Sequence, residues 1–172
     1  MHITLSTSKG DIILDVNEEK APISAKNLTS YVDKGFYDGL IFHRVIKGFM
    51  VQTGGFLVDM KQKSGDAPIK NEWKNGLTNV RGSVAMARTQ VADSASSQFF
   101  INTKDNSFLS EPRDGAGYAV FGQVVKGMDV VDAIEGVATT TKSGHGDVPR
   151  EPVVITKARR STPDEVATIK AM

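Results

Sequence analysis

Along most of the chain, apolar and polar residues alternate with a period near two, in short runs separated by turn residues. That rhythm predicts strands over His2–Thr7, Asp11–Val16, Ile41–Ile46, Phe49–Thr53, Ser83–Ala87, Gln98–Asn102, Tyr118–Val125 and Val153–Arg159. Ser8-Lys9-Gly10 reads as a hairpin link between the first two, and Lys47-Gly48 as one between the third and fourth, where glycine accepts positive φ. Two segments break the rhythm. Pro22–Lys34 carries Leu28, Tyr31 and Val32 at helical spacing, with proline at the tolerant first turn and Gly35 as a stop. Asp129–Glu135 places Val130, Val131 and Ile134 on one face and ends at Gly136. Many short strands and two helices fit a mainly β domain, either barrel or sandwich, and the pattern does not choose between them.

After Arg159 the character changes. Thr162-Pro163-Asp164-Glu165 has capping-box spacing, and Val166 and Ile169 can share a helical face. The segment then runs out after about ten residues, too short for a stable isolated helix, so a frayed end is expected unless it docks. Lys157-Ala158-Arg159-Arg160 reads as a solvated strand edge, Lys61-Gln62-Lys63 as an exposed loop, and the glycine-rich run Ser143–Asp147 around His145 as a flexible one.

Composition narrows the function classes. The 172 residues carry a net charge of +1, so no global field draws the chain to nucleic acid or anionic lipid. The absence of cysteine removes disulfides, a thiol nucleophile and thiolate-bound zinc. No apolar run reaches membrane-spanning length and no secretory leader is visible, which gives the cytoplasm as the expected location. His2, His43 and His145 form no metal-ligand spacing, and there is no HExxH, GxSxG or P-loop. No metal or other cofactor is expected.

Two segments hold polar groups among apolar ones. In Ile41–Gly55, Arg44 shares a strand face with Phe42 and Ile46, and Met50 shares one with Gln52 after the turn. A snorkelling arginine or a rim ion pair accounts for that pattern as well as a site does. In Ser94–Asn102, Gln98 and Phe100 take one face, Phe99 and Ile101 the other, as a binding surface or a doubly buried strand would.

FHRVIKGFMVQTGG, RGSVAMA, SQFFIN and FLSEPRDGAGYAVFGQVVKGMDVVDAI, in this order and spacing, resemble the cyclophilin family, and GDIILDVNEEKAPISAKN is similar to that family's second strand and first helix. The likeness runs from Met1 to Arg159 and is closest to the bacterial cytoplasmic branch. It implies an eight-stranded antiparallel closed barrel capped by two α-helices, one domain over residues 1–160 and a tail over 161–172. It also implies peptidyl-prolyl cis–trans isomerase activity on proline-containing polypeptides, by a monomer. A non-catalytic proline-loop binding module or chaperone would use the same pocket.

Carried over by residue, the resemblance makes Arg44 catalytic, with Gln52 orienting it and contacting substrate backbone. Phe49, Met50, Phe100 and Leu109 would hold the proline ring. Ala87, Arg88 and Thr89 would line the groove for preceding residues, with Gln98 beside it. Phe108 and Tyr118 would complete the rim, and His43 would support the site. Many eukaryotic members have tryptophan where this chain has Phe108, histidine at Tyr118 and asparagine at Arg88. The first change implies weak cyclosporin binding, and the last adds a charge that would favour acidic neighbours of proline.

Overall fold

The computed structural model describes all residues, 1–172. Its strands are β1 His2–Thr7, β2 Gly10–Val16, β3 Arg44–Ile46, β4 Met50–Thr53, β5 Ser83–Met86, β6 Phe99–Asn102, β7 Val120–Lys126, β8 Thr139–Lys142, β9 His145–Pro149 and β10 Ile155–Arg160. The α-helices are α1 Pro22–Asp33, α2 Met128–Glu135 and α3 Pro163–Lys170, and a single 3₁₀ turn spans Ser107–Ser110. No helix is long and apolar enough to cross a membrane.

Eight strands form one antiparallel sheet in the order β10-β1-β2-β7-β5-β6-β4-β3. The expected closed barrel needs one amendment, because β3 and β10 share no ladder. Closure runs through the segments before them: Gly39 N donates to Ile155 O (2.7 Å), Ile155 N to Leu40 O (2.8 Å) and Phe42 N to Val153 O (2.9 Å). The expected strand Ile41–Ile46 accordingly shrinks to Arg44–Ile46. Phe42 and Val45 both enter the main core, three residues apart, so no single run of period two can hold both. Phe42 therefore does not share Arg44's face.

The barrel interior is filled by Ile3, Leu5, Ile12, Leu14, Val51, Val84, Phe99, Ile101 and Phe121, with Leu28, Tyr31 and Val32 of α1 and Val131 and Ile134 of α2 packed onto it. The N-terminus of α1 has only Ala21 at its cap position. Glu72 supplies the missing acceptor from far along the chain, taking the Ile23 N–H (3.1 Å), the Ser24 N–H (2.7 Å) and the Ser24 hydroxyl (2.8 Å). Gly127, at φ 92°, opens α2 where a Cβ would collide with Ile12 Cα at 3.0 Å.

The run around His145 is a hairpin, β8–β9, rather than a flexible loop. Ser143 (φ 51°) and Gly144 (φ 79°) make a two-residue turn with both φ positive, the twist that hairpins prefer. Its strands, TTTK and HGDVP, lack apolar alternation, so periodicity could not reveal them.

The charged strand end is paired rather than freely solvated: Lys157 with Asp38 (3.2 Å), Arg159 with Glu165 (2.6 Å) and Arg160 with Asp33 (2.8 Å). Through Glu165 the tail docks as helix α3 instead of fraying. The capping box forms with Thr162, and Glu165 also accepts from Thr4 Oγ1 (3.1 Å) on β1, so one carboxylate joins both terminal strands. These donors pull its pKa down to about 2 from 4.5. The stabilisation is complete above 4.5 and is lost as pH falls toward 2, because the unfolded chain takes the proton first. Glu165→Ala should cost about 1–2 kcal/mol, a lost cap plus a partly exposed ion pair. Urea unfolding at pH 7 measures this, and the deficit should shrink below pH 3; a deficit that persists there would implicate packing instead.

Candidate functional site

Strands β3, β4, β6 and β5 lie side by side, and their register sets the site. Arg44 pairs with Gln52, Gln52 with Phe100, and Phe100 with Ala85. Neighbours in register share a face, so these four side chains form one row on the outside of the barrel. Their chain neighbours Val45, Val51, Ile101 and Val84 fill the inside. The strand carrying Phe100 is thus buried on both faces, in two separate clusters. The outer cluster joins Met50, Ala85, Phe100, Leu109 and Val120, with Phe49, Ala87 and Tyr118 half-buried against it.

Above that cluster lies a hollow of about 260 Å³, lined by Arg44, Phe49, Met50, Gln52, Ala87, Arg88, Phe100, Phe108, Leu109, Arg113 and Tyr118. Phe100, only 4% exposed, is its floor, held edge-on by Tyr118 at 5.8 Å. Phe108 is 54% exposed on the 3₁₀ turn and stacks on Phe49 at 6.0 Å. An adjoining polar hollow of about 250 Å³ is lined by Gln52, Gln62, Ala87, Arg88, Thr89, Ser94, Ser96 and Gln98. Thr89 and Gln98 thus border the second hollow and not the first, and Gln52 borders both.

Arg44 is exposed at the lip of the apolar hollow. Its guanidinium makes no ion pair, and its hydrogen bond is a long one to Gln52 Oε1, 3.4 Å. Gln52 Nε2 donates to Gln98 Oε1 at 2.9 Å, which turns the Gln52 oxygen toward Arg44. Gln98 in turn lies across Gly55, where any Cβ would run into it. A relay of two amides therefore aims the guanidinium.

Arg88 differs from expectation. Its guanidinium donates to the carbonyls of Thr89 (2.8 Å), Arg113 (2.7 Å) and Ala116 (2.7 Å) and sits 4.7 Å over the Tyr118 ring. It braces the wall between the two hollows, with its donors turned to backbone carbonyls and no carboxylate paired with its charge.

Periodicity reading missed the support beneath. Asn102 donates to Asn79 and to Ser83, both at 2.9 Å, while Asn106 donates to Asn102 (2.9 Å) and to Phe49 O (2.8 Å). Asn79 donates to Ser110 Oγ and Tyr118 O, each at 3.1 Å. This buried net fixes Phe49, Tyr118 and the turn bearing Phe108 and Leu109 against one another. Asparagines in strands and loops are usually turn residues, so nothing in their spacing announces the net. Arg113, Ser94, Ser96 and Gln62, the last from the expected exposed loop, also line the hollows, a place the sequence had not assigned them.

His43 sits behind Arg44, 6% exposed, its ring 4.4 Å from Phe56, which meets His145 edge-on at 5.0 Å. Burial first, then the nearby His145 and Arg44, push its pKa down to about 4. His43 is therefore neutral above pH 5, and arginine keeps its charge throughout. Activity carried by this site should be flat from pH 5.5 to 8; a step near pH 6.5 in kcat/KM would show that His43 titrates with it. Because the unfolded chain protonates first, His43 stabilises the fold fully above 6.5 and loses that contribution as pH falls toward about 4.

The eight-stranded antiparallel sheet that carries this site has the fold of cyclophilins. A solved cyclophilin-type isomerase of Cryptosporidium parvum, studied in the presence of the dipeptide Ala-Pro, has the same fold, with a TM-score of 0.78 at 22% identity over 94% of this chain and 99% of its own. The chain belongs to the family described as cyclophilin type peptidyl-prolyl cis-trans isomerase/CLD, whose profile matches residues 2–160. It is 55% identical to peptidyl-prolyl cis-trans isomerase A of Dickeya dadantii, over 92% of this chain and 83% of the relative. It is 54% identical to isomerase B of Escherichia coli K12, over 89% of this chain and 95% of the relative.

Proposed function

We propose that the outer hollow is the active site of a peptidyl-prolyl cis–trans isomerase that turns X-Pro bonds in polypeptides and so assists folding. The observation that carries the reading is the abreast placement of Arg44 and Gln52 at the lip of a hollow floored by Phe100. Rotation about a peptide C–N bond faces a barrier of about 18–20 kcal/mol, because resonance makes it partly double. No bond needs to break, so no nucleophile is required.

As the bond twists, the proline nitrogen becomes pyramidal and gains a lone pair. A donor aimed at that lone pair stabilises the twisted state and leaves the planar states untouched, and only such a difference accelerates a step. Arg44 supplies the donor, held by the Gln52–Gln98 relay. Phe49, Met50, Phe100 and Leu109 grip the ring while the carbonyl side rotates across the second hollow, past Ala87, Arg88, Thr89 and Gln98. Phe108 and Tyr118 wall the ring in, and His43, neutral and buried, holds the strand of Arg44 from behind.

A binding module without catalysis would share the hollow, but it has no use for a guanidinium left unpaired at the imide. A protease-coupled assay on an X-Pro peptide at low enzyme-to-peptide ratio separates the two. Catalysed exchange supports the isomerase, and saturable binding without exchange overturns it. The reading further makes the protein a cytoplasmic monomer. It binds cyclosporin weakly, since Phe108 offers a smaller ring than tryptophan and no indole N–H.

A further inference from the structure

Outside the active hollow, the first turns of α1 and the segment 69–75 enclose two adjoining hollows of about 450 and 530 Å³ that share Ile23. Ile23 is 40% exposed, and with Ile69 and Trp73 it forms an apolar floor. Lys20, Lys26, Lys70 and Lys74 stand exposed around that floor. Like most lysines of the chain, these four pair with no carboxylate; what sets them apart is that they cluster around one floor. Lys74 leans over the Trp73 ring at 5.2 Å. The one acid in the lining, Glu72, is committed to capping α1. The face is therefore apolar at the centre and net positive at the rim, with four ammonium groups against one carboxylate.

This face backs directly onto the active groove. Ile69 N donates to Ala95 O (2.9 Å), Asn71 N to Asp93 Oδ1 (2.9 Å) and Asn27 Nδ2 to Ser96 O (2.6 Å). Asn71 Nδ2 reaches both Ala92 O and Gly117 O at 3.0 Å. Trp73 lies so close over Gly117, next to Tyr118, that a Cβ there would meet the indole at 3.1 Å. Segment 92–96 lies between the lysine-rimmed floor and the polar hollow, to whose lining it contributes Ser94 and Ser96.

We propose that this face is a second polypeptide-binding surface, which takes an acidic segment with an apolar side chain lying upstream of the proline being isomerised. The occupant follows from complementarity: carboxylates for four unpaired ammonium groups, and an aliphatic or aromatic side chain for the Ile23–Trp73 floor. The upstream direction rests on the isomerase reading, in which residues before proline cross the polar hollow toward segment 92–96.

The test uses the full-length protein and three peptides. One holds the X-Pro core alone, one adds an upstream leader of Glu, Asp and Leu, and one carries the same leader with Gln and Asn for the acids. At low salt the acidic leader should lower KM about fivefold relative to the neutral one. In 0.5 M salt, where screening shortens to a few ångströms, the gain should fall below twofold. In the combined Lys20→Gln, Lys26→Gln, Lys70→Gln and Lys74→Gln variant the gain should vanish, while the core peptide turns over as in wild type. Equal KM for both leaders, or a gain that survives in the variant, would overturn the surface. If wild type fails to turn over the core peptide, the isomerase reading falls, and fluorescence anisotropy of the labelled acidic leader, without proline, decides the surface alone. Binding that weakens at least fivefold in the variant sustains it. Preference for vesicles of anionic lipid or a single-stranded oligonucleotide over that leader overturns it.

Discussion

Arg44→Ala lowers kcat/KM on a short X-Pro peptide by about several hundredfold, the loss of one preorganised donor worth roughly 3–4 kcal/mol. The fold should not suffer. Arg44 is exposed, pairs with no carboxylate, and donates only to Gln52 at 3.4 Å, so its removal leaves no buried charge unpaired. Thermal unfolding should move by no more than about 1–2 °C, since an ordinary surface change stays within about 0.5 kcal/mol. Arg44→Lys should recover little, because a single ammonium on a flexible stem cannot keep one donor on Gln52 and another on the imide nitrogen. The effect should appear in kcat with KM little changed, since the donor acts on the twisted state. A large KM effect with kcat retained would make Arg44 a binding residue.

Phe100→Ala should act in the opposite way, on binding and on stability together. Phe100 is the floor of the apolar hollow, 4% exposed, packed among Met50, Ala85, Leu109 and Val120 and held by Tyr118. Truncation of such a ring costs about 3–5 kcal/mol and leaves a cavity. The ring lies outside the main core, in a smaller cluster beside an open hollow into which neighbours can relax, so the lower end of that range is expected. KM should rise at least tenfold once measured at a temperature where the variant is fully folded. Phe100→Leu keeps an apolar floor with less loss of stability and should recover part of the binding. If both variants bind the peptide as wild type does, the ring of proline sits elsewhere.

The alternation in the sequence was sufficient for most of the barrel, because a strand with one face in the core must alternate. β1, β2, β4, β5, β6 and β7 all lie within the segments so predicted, apart from the first residue of β2 and the last of β7. It failed where alternation is not what holds the chain. Phe42 and Val45 both point inward across a break at His43, and β8–β9 has almost no apolar residues, only a turn that demands positive φ. The tail was undecidable from its own residues, since its stability comes from Thr4 and Arg159 rather than from helix propensity.

The site was legible for a different reason. Spacing placed Arg44 opposite Gln52 only as a pattern that an ion pair would share; the resemblance gave it a role, and the register brought the two together with Phe100. Arg88 shows the limit of that route, because a changed residue carried over as a free charge turns out to be bonded to three backbone carbonyls. The asparagine net under Phe49 and Tyr118 was invisible to both.

The central claim is that Arg44 acts on the twisting bond and not on the resting peptide. Exchange NMR on a single X-Pro peptide, titrated with wild type and with Arg44→Ala, reads the dissociation constant and the cis–trans rate on the protein in one sample. The account predicts dissociation constants within about threefold of each other and an on-protein exchange rate lower by about several hundredfold in the variant, the fold-change expected from one lost donor. Equal exchange rates in the two proteins, at matched occupancy, would contradict it.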